Sequence, residues 1–181
     1  MEVDERLRLF CALLLPPAAV DGLSAWQTDE LVPSGKDLRI VPRENLHVTL
    51  AFLGSTPAAG AGEAVDALRE ARTGLEPPVF AARRYRETRS VAMIELSDEG
   101  GRGELIAERL FGALEERGLY RREQRRWLPH VTVARFRSRP RLGPPPPDLG
   151  EVVPSDAAVM ISRLRPGGAQ YEVFESVSLG G

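Results

Sequence analysis

Leu46-His47-Val48-Thr49-Leu50 is the stretch that decides the fold of this chain, and Pro129-His130-Val131-Thr132-Val133 is a second copy of it. The chain contains two histidines, and each opens a His-Val-Thr triplet inside a short apolar run. Side chains alternate between the two faces of an extended strand. Each strand is therefore predicted to seal a core with one face and to present an imidazole and a hydroxyl on the other.

Strict alternation assigns every residue of the two motif strands to a face. It places His47, Thr49 and Ala51 together, opposite a face made of Leu46, Val48, Leu50 and Phe52. In the second copy it places His130, Thr132 and Ala134 on one side and Val131 and Val133 on the other. Phe52 and Trp127, which precedes the second motif, are predicted to belong to the core, with stacking on a base as the alternative for both.

Length and composition favour a compact protein with a substantial core. The 181 residues are 43% hydrophobic, which is enough for one well-packed domain spanning 1–181, built as two lobes that share a cleft. The formal net charge of −2 argues against a protein that coats long nucleic acids through bulk electrostatics. Any nucleic-acid partner is therefore expected to be bound locally.

Cysteine content and hydropathy indicate a cytoplasmic protein. Cys11 is the one cysteine, so no disulfide framework or cysteine metal cluster is expected, and its apolar neighbours predict a buried thiol. The apolar run 7–15 is too short to span a bilayer, and no basic leader precedes it. We expect no membrane association, no protein partner and a monomeric state.

The pattern of apolar residues predicts an α+β fold. Strands are predicted over 7–15, 38–41, 46–53, 79–86, 91–96, 130–136, 157–164 and 171–179, and helices over 17–31, 63–72 and 104–117. Loops are predicted over 54–62 and, with four consecutive prolines, over 137–150. The order strand, helix, linker, motif strand occurs twice, so we expect two similar lobes with mainly antiparallel sheets that face each other across a central groove.

Two histidines and two threonines on facing strands suit phosphoryl chemistry. One imidazole can take a proton from an attacking water while the other gives a proton to the leaving alkoxide. The hydroxyls of Thr49 and Thr132 are placed to donate hydrogen bonds to the non-bridging oxygens. A cyclic phosphodiester suits such a site, because its ring strain supplies part of the driving force. The residues alone do not decide which histidine is the acid.

A zinc site is the main alternative for paired histidines. Neither histidine has a carboxylate or a further histidine beside it at ligand spacing, so no metal site is predicted. No other cofactor is implied by the residues. A second alternative is a nucleotide- or RNA-binding module that keeps the groove without catalysis.

The chain resembles the two-histidine phosphoesterase superfamily and, more narrowly, the RNA 2′,3′-cyclic phosphodiesterases, also called 2′-5′ RNA ligases. The resemblance is carried by four segments in the family's order: Leu9-Phe10-Cys11-Ala12 with Leu15-Pro16, Glu44 through Gly54, Pro129 through Arg135, and Ser162-Arg163-Leu164 with Pro166 through Tyr171. It implies hydrolysis of 2′,3′-cyclic phosphate ends, free or on RNA, to 2′-phosphomonoesters. It further implies that His47 protonates the leaving 3′ oxygen, that His130 activates water, that Thr49 and Thr132 hold the phosphate, and that the reaction can run in reverse as a 2′-5′ ligation.

Some polar and aromatic residues admit two interpretations. The family has a phosphate-binding arginine at the position of Arg135, but strand alternation places this residue on the face opposite His130, which would make it structural. Tyr171 is predicted to stack on a base. A cluster of arginines just before the second motif comprises Arg121, Arg122, Arg125 and Arg126. These arginines could line an RNA path, but a solvated loop is the favoured interpretation. Arg43 has the same two interpretations.

Overall fold

The computed structural model describes residues 5–180, so Met1 to Asp4 and Gly181 of the predicted domain lie outside the described residues. Its strands are β1 (Arg6–Leu14), β2 (Arg39–Ile40), β3 (His47–Pro57), β4 (Val79–Glu87), β5 (Val91–Glu99), β6 (His130–Arg135), β7 (Asp156–Arg165) and β8 (Gly168–Ser178). Its α-helices are α1 (Pro17–Trp26), α2 (Gly60–Arg72) and α3 (Arg102–Glu116). The α+β class predicted from the sequence is confirmed.

The strands form one curled antiparallel sheet. Their order is β4-β5-β6-β3-β1-β7-β8, with the short β2 beside β6. The two motif strands, β3 and β6, are neighbours at the centre, and each also pairs with an earlier strand of its own half, β1 for β3 and β5 for β6. The two predicted lobes are therefore halves of a continuous sheet.

Helices cover one face of the sheet and leave the other open. Apolar residues from all three helices, such as Leu23, Leu68 and Leu110, join one buried cluster with the sheet residues Leu9 and Cys11. Burial of these side chains is the main source of stability. On the other face, Phe10 and Ala12 of β1 form a smaller cluster with Ala158 and Met160. That cluster underlies an open groove.

The halves are joined by few contacts between the motif strands. The ladder between β3 and β6 has one residue pair, Val48 with Val131, whereas β1 and β3 pair over most of their length. The indole Nε1–H of Trp127 donates to the carbonyl of Thr49 at 3.0 Å and ties the second motif to the first. Trp127 is packed against the main core, as predicted.

The predicted loop 54–62 was wrong. The strand β3 continues to Pro57, and α2 begins at Gly60. Pairing with β1 extends the strand, since Gly54 lies opposite Leu9 and Pro57 opposite Arg6. Gly54 has a φ of 71°, beside a register shift in this ladder, a conformation that glycine adopts without strain.

The proline-rich segment 137–150 forms neither helix nor strand, as predicted, and it contacts the end of the edge strand β4. The buried carboxylate of Glu87 accepts hydrogen bonds from Arg139 Nε (3.0 Å) and from the backbone N–H groups of Arg141 (3.1 Å) and Leu142 (2.7 Å). The indole of Trp26 donates to the carbonyl of Pro145 at 2.9 Å. No helix in residues 5–180 is long and apolar enough to cross a membrane.

Candidate active site

The two motifs meet on the open face of the sheet. Val48 of β3 lies opposite Val131 of β6 in an antiparallel ladder, which places His47 across from Thr132 and Thr49 across from His130. In such a ladder, side chains diagonal to each other lie about 7–8 Å apart. The two imidazoles therefore occupy opposite corners of a rectangle, with a hydroxyl at each of the other corners.

The same backbone contact fixes the tautomer of both imidazoles. His47 Nδ1 lies 2.7 Å from the carbonyl of Asn45, and His130 Nδ1 lies 2.8 Å from the carbonyl of Leu128, two residues earlier in each case. Because a carbonyl only accepts, Nδ1 carries the proton in both rings. Each Nε2 is left with a lone pair or a transferable proton, which is the state that proton transfer requires.

The backbone carbonyl that orients His47 is itself held in place. Asn45 belongs to a short 3-10 turn (Arg43–Asn45), and its side-chain amide donates to the carbonyl of Ala169 at 2.9 Å, in the hairpin between β7 and β8. On the other ring nitrogen, His47 Nε2 lies 2.9 Å from the hydroxyl of Thr49. The ring of His47 thus has a hydrogen-bond partner at both nitrogens.

Burial lowers the pKa of His47 below its usual 6.5. The hydrogen bond to Asn45 acts in the opposite direction, and the nearby charges of His130 and Arg135 add to the lowering. The neutral form of His47 is therefore favoured while the groove holds no anion. A bound phosphate would supply the negative charge that stabilises the imidazolium.

Two aromatic rings pack against His47. Phe10 lies 5.1 Å from it and Tyr171 lies 5.4 Å from it, centroid to centroid, and the two aromatic rings contact each other edge to face at 4.9 Å. Tyr171, which the sequence predicts to contact the substrate, lines the groove. Its ring also restricts the orientation of His47. These contacts help to hold the imidazole in one position.

Each motif strand carries a β-bulge immediately after its threonine. In β3, Thr49 pairs with Ala12 and Ala51 with Cys11, which leaves Leu50 as the extra residue. In β6, Thr132 pairs with Met93 and Ala134 with Ala92, which leaves Val133 as the extra residue. A bulge shifts the alternation of side chains by one residue. The predicted placement of Ala51 and Ala134 on the histidine faces was therefore wrong, and both are buried in the core.

The bulge in β6 returns Arg135 to the open face. Strand alternation predicted that Arg135 would lie opposite His130, but beyond the bulge it lines the groove together with Thr132 and His47. It lies beside Arg39 of β2 in the ladder. The expectation that Arg135 faces away from the motif was wrong, and the position that the family resemblance implied is available to it.

The bulge in β3 has the same effect on Phe52. This side chain is 48% exposed and lines the groove, with the guanidinium of Arg8 stacked over its ring at 4.7 Å. The prediction that Phe52 belongs to the core was wrong for the same reason as for Arg135. The sequence contains one signal that the two motifs share a bulge, because both continue with an apolar residue and an alanine after the threonine.

The groove has a volume of about 930 Å³ and a strongly basic wall. One carboxylate, that of Glu44, lines it together with four arginines: Arg8, Arg39, Arg135 and Arg165. His130, which lies opposite Thr49 in the ladder, is not one of the residues that line this volume. The sign of the charge favours an anionic ligand.

Three of the four arginines in the cluster 121–126 form ion pairs with glutamates. Arg122 bonds to Glu108 and Glu115, Arg125 to Glu123 and Arg126 to Glu104. Arg43 likewise bonds to Asp21. These pairings support the solvated-loop interpretation over an RNA path. Within residues 5–180, no group of three or more histidine, cysteine, aspartate or glutamate side chains is arranged to hold a metal ion.

Comparisons with known proteins identify relatives of the same fold. The family model of the LigT-like phosphoesterases matches residues 13–89. An RNA 2′,3′-cyclic phosphodiesterase of Thermus thermophilus is 32% identical over 97% of this chain and 91% of its own. A crystal structure of a protein from Thermus thermophilus superposes with a TM-score of 0.80 at 29% identity, covering 97% of this chain and 99% of that one. Escherichia coli LigT, solved with 3′-AMP, superposes with a TM-score of 0.75 at 22% identity, covering 98% and 100%.

Proposed function

This chain belongs to the LigT-like phosphoesterase family, and we propose that it hydrolyses 2′,3′-cyclic phosphates, at RNA ends or on small nucleotides, to 2′-phosphomonoesters. Its family and its relative support an enzyme with an activity of the 2′,3′-cyclic phosphodiesterase type. The observation that carries the proposal is the pair of imidazoles on one face, each with Nδ1–H donated to a carbonyl two residues back and Nε2 free to exchange a proton.

In the proposed reaction, water attacks the phosphorus in line with the bond to O3′. Nε2 of His130 takes a proton from the water, and Nε2–H of His47 gives a proton to O3′ as the P–O3′ bond breaks. The assignment of acid and base follows the family resemblance. The acid role requires the protonated form of His47, which burial disfavours and which the negative charge of a bound phosphate favours.

Three further side chains are proposed to hold the phosphate. The hydroxyls of Thr49 and Thr132 occupy the remaining corners of the rectangle and can donate to the non-bridging oxygens. The guanidinium of Arg135 lines the same groove and supplies a fixed positive charge. As charge builds on the phosphoryl oxygens in the transition state, these donors stabilise it without reorganisation.

The aromatic side chains of the groove are proposed to contact the nucleoside. Tyr171 lies against His47, and Phe52 offers an exposed ring that lines the same groove. An aromatic face accepts any base by stacking, which is worth about 1–3 kcal/mol. Escherichia coli LigT, which shares this fold, has been solved in complex with 3′-AMP and with ATP, and this supports a nucleotide ligand for the present chain.

Ligation uses the same ring opening with a different nucleophile, and by microscopic reversibility it is the reverse of cleavage of a 2′-5′ phosphodiester. If a 5′-hydroxyl takes the place of water, its oxygen attacks the phosphorus, O3′ leaves with a proton, and a 2′-5′ phosphodiester forms. Ring opening of the cyclic ester supplies the driving force, so no nucleoside triphosphate is required. We propose ligation as a secondary activity at high concentrations of RNA ends.

One assay tests the proposed hydrolysis. Nucleoside 2′,3′-cyclic phosphates, free and at oligoribonucleotide ends, are incubated with the protein in excess chelator, and the position of the phosphate in the product is identified. We expect 2′-phosphates, unchanged rates with chelator, and a loss of at least about 100-fold in His47→Ala and in His130→Ala. Arg163→Gln, which alters an exposed ion pair with Glu172, serves as the matched control.

The outcomes of this assay separate the alternatives. Full activity in either histidine variant would contradict the proposed chemistry. Loss of activity with chelator would favour a metallophosphoesterase. Tight binding of a 2′-phosphorylated nucleotide without turnover of any cyclic ester would favour a non-catalytic binding module. We further propose that the protein acts in the cytoplasm as a monomer, which fractionation and sedimentation test.

A further inference from the structure

Two arginines stand directly opposite each other one step beyond the four motif side chains. Arg39 of β2 pairs in register with Arg135 of β6, and both line the groove. The next position towards the motif on the open face of β6 is Thr132, because the bulge removes one residue from the alternation. Two residues along a strand correspond to about 7 Å. The arginine pair is therefore separated from the proposed phosphate site by roughly that distance.

No carboxylate in the described part of the chain is bonded to this pair, although Glu44 lines the same groove. Neither guanidinium forms an ion pair with a carboxylate there, and the same is true of Arg8 and Arg165 on the same wall. Like charges directly opposite in a ladder are destabilising. On other surfaces of this protein, arginines such as Arg84, Arg117 and Arg122 are bonded to glutamates. Because the groove arginines are not bonded to a carboxylate, we expect an anionic ligand to balance their charge.

We propose that Arg39 forms a subsite for a second phosphate, the one attached to O5′ of the nucleoside that carries the cyclic phosphate, and that Arg135 lies between the two phosphates and contacts both. This inference rests on the proposed function, and it names the substrate class more narrowly: a cyclic phosphate end that bears a 5′-phosphoryl group. The internucleotide phosphate of an RNA strand and a free 5′-phosphate share this chemistry.

The geometry suits one nucleoside between the two anion sites. Successive phosphates of a nucleic-acid strand are separated by about the length of two β-strand residues, about 7 Å. A phosphate in the rectangle of His47, Thr49, His130 and Thr132 therefore places the next phosphate at the arginine pair. Guanidinium groups bind phosphate through paired N–H donors, and two of them can grip one phosphate from two sides. Arg39 is therefore a specificity-determining residue in this proposal.

Three substrates that differ in one group test the subsite. These are adenosine 2′,3′-cyclic phosphate, its 5′-phosphorylated form, and the dinucleotide ApA ending in a 2′,3′-cyclic phosphate. In the natural protein we expect kcat/KM to rise about tenfold to a hundredfold when the second phosphate is present, which is the range for a charged hydrogen bond. Arg39→Gln should remove that gain and leave the turnover of adenosine 2′,3′-cyclic phosphate within about threefold.

Controls separate binding of the second phosphate from general effects. Arg163→Gln removes an exposed arginine outside the groove and should leave all three substrates unchanged. Arg39→Lys keeps the charge and should retain part of the gain. If the dinucleotide gains and the 5′-phosphorylated mononucleotide does not, the subsite reads an internucleotide phosphate in a strand. An equal gain for both identifies the phosphate alone as the ligand.

A binding measurement distinguishes failure of this inference from failure of the proposed hydrolysis. Calorimetric titration with adenosine 2′-phosphate and adenosine 2′,5′-bisphosphate needs no turnover. We expect the natural protein to prefer the bisphosphate and Arg39→Gln to lose that preference. Equal binding of the two ligands by the natural protein, or an undiminished preference in Arg39→Gln, overturns the subsite. Absence of turnover with all three cyclic substrates overturns the hydrolysis instead.

Discussion

The hydroxyl of Thr49 gives the sharpest test of the proposed chemistry, because one atom can be removed without changing the shape of the side chain. The substitution Thr49→Val replaces the hydroxyl by a methyl group of similar volume. In the structure this oxygen lies 2.9 Å from Nε2 of His47 and faces the groove. The variant therefore removes both a partner of the acidic imidazole and a donor to the phosphate.

The size of the effect follows from that contact. A hydrogen bond to a charged group contributes about 1.5–3 kcal/mol, and about 1.36 kcal/mol corresponds to a tenfold change in rate. We expect kcat/KM for a 2′,3′-cyclic nucleotide to fall about 10- to 150-fold in Thr49→Val. Because Thr49 lies on the open face and not in the main core, the melting temperature should change little.

Two matched variants complete the measurement. Thr132 occupies the equivalent position in the second motif, and its hydroxyl makes no hydrogen bond within the described structure, so Thr132→Val isolates the contact to phosphate. Thr56 is a buried threonine at the far end of β3 whose hydroxyl donates to the carbonyl of Gly54 at 3.2 Å. Thr56→Val should leave kcat/KM within about twofold. A rate in Thr49→Val within about threefold of the natural protein would refute the assigned role.

Three further predictions concern stability and reactivity. Burial lowers the pKa of His47, so the folded protein binds fewer protons than the unfolded chain between that lowered pKa and about 6.5. The melting temperature should therefore fall as the pH is lowered from about 7.5 to about 5.5, and it should fall by less in His47→Asn. Calorimetry at both pH values measures this difference. Burial raises the pKa of the Cys11 thiol to about 12, so an aromatic disulfide reagent should label no thiol in the native protein and one after denaturation, and rapid labelling of the native protein would contradict its burial. Glu87→Gln should lower the free energy of unfolding, measured in urea, by about 1–3 kcal/mol, because it weakens the charged hydrogen bonds that hold the proline-rich segment. An unchanged midpoint of the urea transition would show that this segment is held by other contacts.

The sequence was sufficient for most of the elements. Short apolar runs bounded by proline and glycine predicted the strands, and the stripes of leucine and alanine predicted the helices, because both patterns reflect which faces are buried. The end of β3 could not be read in the same way. Gly54 and Pro57 are typical of loops, yet pairing with β1 keeps both in the strand, so a tertiary contact overrides the local preference.

The candidate site was predicted in part. Two copies of His-Val-Thr indicated which side chains would share a groove, since the alternation of a regular strand is a local property. The same alternation failed two residues later in both motifs. A bulge depends on how a strand pairs with its neighbour, and no residue in Leu50-Ala51 or Val133-Ala134 requires it by itself. Phe52 and Arg135 therefore point into the groove against the local pattern.

The sequence by itself determined the four polar side chains of the two motifs, their spacing and the apolar faces that bury the strands around them. Only the tertiary structure decided that β3 and β6 lie side by side, that both bulge after the threonine, and that Arg39 comes to face Arg135 across the ladder. The physical reason is that the face of a side chain within one strand is set by the geometry of its own backbone. Register between strands is instead set by packing and hydrogen bonds to residues far away in the chain.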